Sequence, residues 1–205
     1  MPVQIDLART AVLALHFQVD VVKREGAFGG PFFAAEVERR GIIPKAKVVL
    51  DAARKAGIRV IYTRVCFRPG YPDLIVNSPL FGFVQQTGAL VEGSPGAEII
   101  PELAPQPGDV VVNHRRASGF HESDLHVVLV ANRINTLFVM GVASNVTVEY
   151  TARQASDYGY RVLVLEDCCA AASQAIHEAS MESLKLLTEG VISSQDFLAA
   201  VGTKG

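Results

Sequence analysis

The sequence predicts a three-layer α/β/α, Rossmann-like domain on a parallel sheet of about six strands. Two observations carry this. Short runs rich in β-branched residues are continuously apolar rather than alternating, the mark of strands covered on both faces. Segments with helical signals separate several of them, at a spacing that leaves room for right-handed crossovers.

In chain order, "AVLALHF" (11–17) is the first strand and "IRVIYTRV" (58–65) the second. Between them, "IPKAKVVLDAARKAG" has a proline near its start and a glycine at its end, the asymmetry expected of a helix. The third, fourth and fifth strands are "DVVVN" (109–113), "NTLFVMG" (135–141) and "RVLVLED" (161–167). Helices are expected in "ESDLHVVLVANRI", with Ser123 or a neighbour as N-cap, in "NVTVEYTARQASDYG" and in "SQAIHEASMESLKLLTEG". "VISS" (191–194) adds a sixth strand, with "QDFLAAV" after it. Residues 66–109 form the longest irregular region, rich in Gly and Pro. That is too long for a simple connector, so it is read as the cover of a pocket.

The 205 residues are 49% hydrophobic and 20% charged, which suits one domain spanning 1–205. A net charge of -2 and a pI of about 6.2 give no electrostatic footprint for nucleic acid. The N-terminus lacks the basic start and cleavage site of a signal peptide. No stretch approaches the roughly 20 apolar residues of a membrane span. The three cysteines, Cys66, Cys168 and Cys169, make no disulfide framework and suit a reducing cytosol. A cytoplasmic location, a small-molecule partner and no membrane or nucleic-acid partner are the expectations.

In open α/β sheets, ligands bind outside the carboxyl ends of the strands, near the switch point. The residues there are His16 and Phe17 with "QVD", then "NHRRASGF" after the third strand and "GVASNVT" after the fourth. Arg115 and Arg116 offer bidentate recognition of a carboxylate, or a solvated charge. His121, His126 and His177 read as surface or flanking residues of helices.

These segments together resemble the isochorismatase-like hydrolases, also called cysteine hydrolases, which include nicotinamidases and carbamoylsarcosine amidohydrolases. "TAVLALHFQVD" is similar to the family's opening strand, with Gln18 and Asp20 in its tail. "PQPGDVVVNHRRASGFHESDL" is similar to the lysine segment, with Ser118, Phe120, Ser123, Asp124 and Leu125 in register. "TLFVMGVASNVTVEYTARQASDYGYRVLVLEDCCAA" resembles the nucleophile loop and the segment after it, through Gly141, Val142, Asn145 and Asp167 among others. The family's chemistry uses an Asp, a Lys and a Cys. The register here puts His16, His114 and Thr147 in those three places.

A thiol is partly ionised near neutral pH, whereas a threonine hydroxyl attacks only when a base removes its proton. His16 is read as that base and His114 as a donor or proton shuttle. Thr147 is either a base-activated nucleophile or a hydroxyl that orients water or substrate. The second role is favoured, because no third residue is visibly placed to hold His16 in one tautomer. A further alternative for Thr147 is a hydroxyl that satisfies a backbone donor at a helix start.

The resemblance implies an oxyanion hole near Ala143 and Thr147, and a non-proline cis peptide around Val142–Ala143. Phe17, Ser118, Phe120, Val142, Ala143 and Val146 are the expected substrate-binding residues. No cofactor is expected. The metal cluster of nicotinamidases has no counterpart in "RVCFRPGYPD", and His16 with His114 lack a third strong ligand for zinc. A homo-oligomer, dimer or tetramer, is implied by the resemblance alone.

The function expected is hydrolysis of a small amide, carbamoyl or related metabolite. The rival is a catalytically silent member that binds a metabolite or a protein partner. Imidazoles within hydrogen-bond reach of each other or of Thr147, around an open cavity, would favour the enzyme. A pocket plugged by Phe17, Phe120 or the long loop would favour the rival.

Overall fold

Six strands, β1 (Thr10–Leu15), β2 (Arg59–Val65), β3 (Val110–His114), β4 (Thr136–Val142), β5 (Arg161–Ala170) and β6 (Gly190–Ile192), form one sheet. The order is β3-β2-β1-β4-β5-β6, and every pairing is parallel. The computed structural model describes residues 3 to 202. The order reverses between β1 and β4, which is where such sheets open a crevice at their carboxyl ends.

The central strands are apolar because both faces are covered. All six residues of β1 and all seven of β4 are buried. Removing a side chain such as Leu13, Leu15 or Phe138 from water contributes about 1.5–3 kcal/mol. On one side, the helix Ile42–Lys55 packs with Ser194–Gly202; on the other, Glu149–Asp157 packs with Gln174–Leu187. The helix after β3 is Leu125–Ala131, and the Ser123 hydroxyl accepts the backbone N–H of Leu125 there, 3.2 Å away. No helix among the described residues is long and apolar enough to cross a membrane.

Several expected boundaries move. The fifth strand continues to Ala170, after a register shift opposite Val139–Gly141, so Cys168 and Cys169 lie within it rather than beyond its end. Burial raises all three thiols, Cys66 to about 11 and Cys169 to about 12, with Cys168 higher still. A helix, Ala34–Arg40, precedes Ile42–Lys55 and ends at Gly41 with φ 61°. Residues 66–109 are only partly irregular, because Pro79–Thr87 forms a helix between Ser78 and a left-handed Gly88.

Two short distances fix the mouth of the crevice. Gly141 has φ 142°, and a Cβ there would lie 2.1 Å from the Leu15 carbonyl oxygen, so only glycine lets β4 run this close to the end of β1. The next peptide, Val142–Ala143, is cis. A Cβ on Gly96 would meet the Asp20 carboxylate at 2.4 Å. That carboxylate accepts the backbone N–H of Leu90 at 2.8 Å, and so ties the 66–109 segment to the chain after β1. Gln18 makes a second tie: its amide N–H groups reach the Val65 and Ala97 carbonyls at 3.0 and 2.9 Å, and its oxygen accepts from Val65 N–H at 2.9 Å. Arg115 Nε adds a third through Asp73, 2.9 Å away.

Candidate active site

His16 is the first residue beyond β1 and sits at φ 55°, a left-handed conformation uncommon outside glycine. Its N–H donates to the Thr63 carbonyl at 3.0 Å. His114 is the last residue of β3, and its imidazole meets that of His16 above the ends of the strands. The Nε2 atoms are 2.8 Å apart. Thr147 comes from the single wide turn Ser144–Val148, between β4 and the helix Glu149–Asp157. Backbone N–H groups of Val146 and Val148 both donate to the Ala143 carbonyl, at 3.2 and 3.1 Å, and hold that turn closed. The Thr147 hydroxyl lies 2.9 Å from His16 Nδ1, so it serves the imidazole rather than a helix start.

The far end of this chain of contacts fixes its polarity. His114 Nδ1 is 2.8 Å from the Arg116 carbonyl oxygen, which can only accept, so Nδ1 carries the proton. In neutral His114, Nε2 is then bare and accepts from His16 Nε2–H. That leaves Nδ1 of neutral His16 as the acceptor for the Thr147 hydroxyl. One backbone carbonyl thus sets both tautomers and aims an imidazole lone pair at the hydroxyl. His114 is the third residue that the sequence alone does not place behind His16.

Both rings are neutral at pH 7. Burial, and then the neighbouring His114, hold His16 well below its ordinary value. His114 is lowered to about 4, chiefly by burial; the Arg116 carbonyl opposes this, while Arg115 and His121 add repulsion.

His16 and Thr147 open onto a small, mainly apolar cleft of about 70 Å³. Val142, Ala143 and Val146 line it. Phe17, Ser118 and Phe120 do not. Phe17 follows His16 directly and is fully buried, with its carbonyl accepting from Ile100 N–H. Phe120 stacks among Tyr158, Tyr160 and His126. Ser118 donates to Gln154 Oε1 at 2.6 Å. The walls instead include Phe28, Phe33, Leu80, Phe81 and Val84, none of which sequence reasoning singles out. Neither Phe17 nor Phe120 plugs the cleft.

His177 is also a correction, since it is buried and not a surface residue of its helix. Its Nδ1 lies 2.8 Å from Ser144 Oγ and its Nε2 3.4 Å from a Glu166 oxygen, so the helix Gln174–Leu187 and β5 brace the turn that presents Thr147. Among the described residues, no group of three or more His, Cys, Asp or Glu side chains is placed to hold a metal ion.

Known proteins share this plan. The isochorismatase domain matches residues 10–196. The ureidoacrylate amidohydrolase RutB of Rhizobium rhizogenes is 30% identical over 213 residues, covering 98% of this chain and 86% of its own. Its namesake in Caulobacter segnis is 31% identical over 221 residues, covering 98% and 89%. Among solved structures, a cysteine hydrolase from Pseudomonas syringae pv. phaseolicola superposes with a TM-score of 0.88 at 29% identity, covering 98% of this chain and 96% of that one. The N-carbamoylsarcosine amidase of Thermoplasma acidophilum has the same fold, with a TM-score of 0.73 at 24% identity, covering 90% and 95%. From its first strand into its last helix, the chain belongs to the isochorismatase family.

Proposed function

We propose that the protein hydrolyses a small amide, carbamoyl or related acyl compound, with Thr147, His16 and His114 in the places of the family's Cys, Asp and Lys. The observation that carries this reading is the one-way chain of hydrogen bonds from the Thr147 hydroxyl to the Arg116 carbonyl, open to a cleft at its hydroxyl end. The amidohydrolases among its relatives supply the reaction class.

Thr147 Oγ attacks the substrate carbonyl as His16 Nδ1 takes its proton. His16 becomes an imidazolium, and its Nε2–H shares the charge with His114. The family resemblance assigns backbone N–H groups near Ala143 and Thr147 to the developing oxyanion. The tetrahedral adduct collapses, His16 passes the proton to the leaving nitrogen, and an ester of Thr147 remains. Water then attacks that ester with the same base. A merely positioning Thr147 is favoured only while His16 lacks an orienting partner. His114 supplies that partner, and this favours the nucleophile. The reading also places the protein in a reducing cytosol, on its three free, buried thiols, and as a dimer or tetramer on the family resemblance.

The test is mass spectrometry of a metabolite extract incubated with the purified protein, beside a His16→Ala, His114→Ala double variant. The expected result is a metabolite lost and replaced by hydrolysis products only with the intact protein. A compound that co-purifies unchanged, with no turnover, would overturn the hydrolase in favour of the silent binder.

A further inference from the structure

We infer that the substrate is an uncharged molecule with an aromatic or branched-aliphatic body, seated against Phe28, Phe33, Leu80, Phe81 and Val84 with its carbonyl at Thr147. The inference rests on the hydrolase reading for the carbonyl, and on the cleft walls for the body.

The walls come from two places. Phe28 precedes the turn Gly29–Phe33 and Phe33 ends it, while Leu80, Phe81 and Val84 come from the helix Pro79–Thr87. The two elements lock together through aromatic contacts: Phe28 and Phe83 meet edge-on at 5.0 Å, and Phe32 and Phe83 at 5.4 Å. Gly29 permits this packing, because a Cβ there would lie 1.9 Å from the Lys23 carbonyl oxygen. The apolar surface facing Thr147 is therefore built and braced.

A polar substrate body would find few partners. Among the described residues lining the cleft, Arg116 is the only polar side chain besides His16 and Thr147. Its guanidinium lies 3.7 Å above the Phe81 ring and donates to the Ile75 carbonyl at 3.2 Å and to Asn77 Oδ1 at 2.9 Å. Arg116 is thus engaged in holding the cover of the cleft. A carboxylate on the substrate body would lose its hydration against phenyl and aliphatic groups, and only Arg116, whose guanidinium is already bonded to two neutral acceptors, stands to offset that loss. A ring or a branched chain gains by leaving water. Hydrolysis then assists release: a neutral amide plus water gives ammonia or an amine and a carboxylic acid that ionises, and the same walls disfavour that anion.

The test uses phenylacetamide, its para-carboxylate analogue and acetamide, with binding followed by calorimetry and turnover by ammonia release. Phenylacetamide is expected to bind at least about tenfold more tightly than either of the others. A second protein, Leu80→Lys, places a cation on the cleft wall at a residue that is 39% exposed and so tolerant of change. It is expected to erase the preference over the carboxylate. Tighter or equal binding of the carboxylate to the native protein, or no binding of phenylacetamide, would overturn the inference. The two readings fail separately. Selective binding without turnover sinks the hydrolase and keeps the apolar site, whereas turnover of all three amides with similar kcat/KM keeps the hydrolase and sinks the apolar substrate.

Discussion

Replacing His16 with alanine is expected to lower kcat/KM by about 10²–10⁴-fold, the contribution of a positioned general base. Thr147→Val, which keeps the shape and removes the hydroxyl, is expected to cost at least as much. Thr147→Ser keeps the oxygen that lies 2.9 Å from His16 Nδ1 in the native protein and is expected to retain substantial activity. The losses are not additive, because the hydroxyl and its base act as one unit. A His16→Ala, Thr147→Val double variant is therefore expected to be no slower than the worse single one. His114→Phe removes the acceptor that holds His16 Nε2–H and is expected to cost less, since the base survives and only its orientation suffers. Ammonia release or product mass measures each of these variants. Full activity in Thr147→Val would show that the hydroxyl takes no part in the chemistry. His16 at φ 55° also allows a control for folding: His16→Gly removes the ring while the backbone keeps a conformation that glycine adopts freely.

Acid is expected to weaken the fold between about pH 6.5 and pH 4. His114 titrates near 6.5 when unfolded and at about 4 when folded, so within that window the unfolded chain binds the extra proton. Stability therefore rises with pH there. His114's contribution is complete above 6.5 and is lost as the pH falls through the folded value. The lowering corresponds to about 3 kcal/mol at the acid end. His16 acts in the same direction, held down by burial and by His114, and so does His177, lowered chiefly by burial. Urea midpoints at pH 7.0 and pH 4.5, compared between the native protein and His114→Gln, isolate the His114 share. The variant is expected to show a clearly smaller loss on acidification. An identical loss in both proteins would mean that His114 is not buried as a neutral ring.

Much of the fold is legible because its strands are continuously apolar and its crossovers carry proline and glycine punctuation. The three site positions are legible for a different reason. The family resemblance supplies their register, which sets His16 and Thr147 beside the switch point between β1 and β4 and His114 at the end of the edge strand β3. The features hidden from sequence reasoning are longer in range. The direction of the hydrogen-bond chain depends on the Arg116 carbonyl, a backbone group whose meeting with His114 Nδ1 leaves no mark in residue type. Adjacency to His16 suggests Phe17 for the cleft, but the chain turns at the left-handed His16 and Phe17 enters the core. Phe120 finds three aromatic partners instead, and nothing local announces Tyr158 or Tyr160 as its neighbours. The helix Pro79–Thr87 does carry signals, with Ser78 and Pro79 at its start and Gly88 at its end. The prolines and glycines on either side mask them, and with them go Leu80, Phe81 and Val84 as walls of the site.

The most direct measurement is the ¹⁵N spectrum of the histidine rings at pH 7, assigned with His16 and His114 variants. The expected spectrum shows two neutral rings of opposite tautomer: His16 protonated at Nε2 with Nδ1 bare, and His114 protonated at Nδ1 with Nε2 bare. A His16 ring protonated at Nδ1, or a charged ring at either position, would contradict it. The lone pair facing Thr147 would then be absent, and the hydroxyl would have no base.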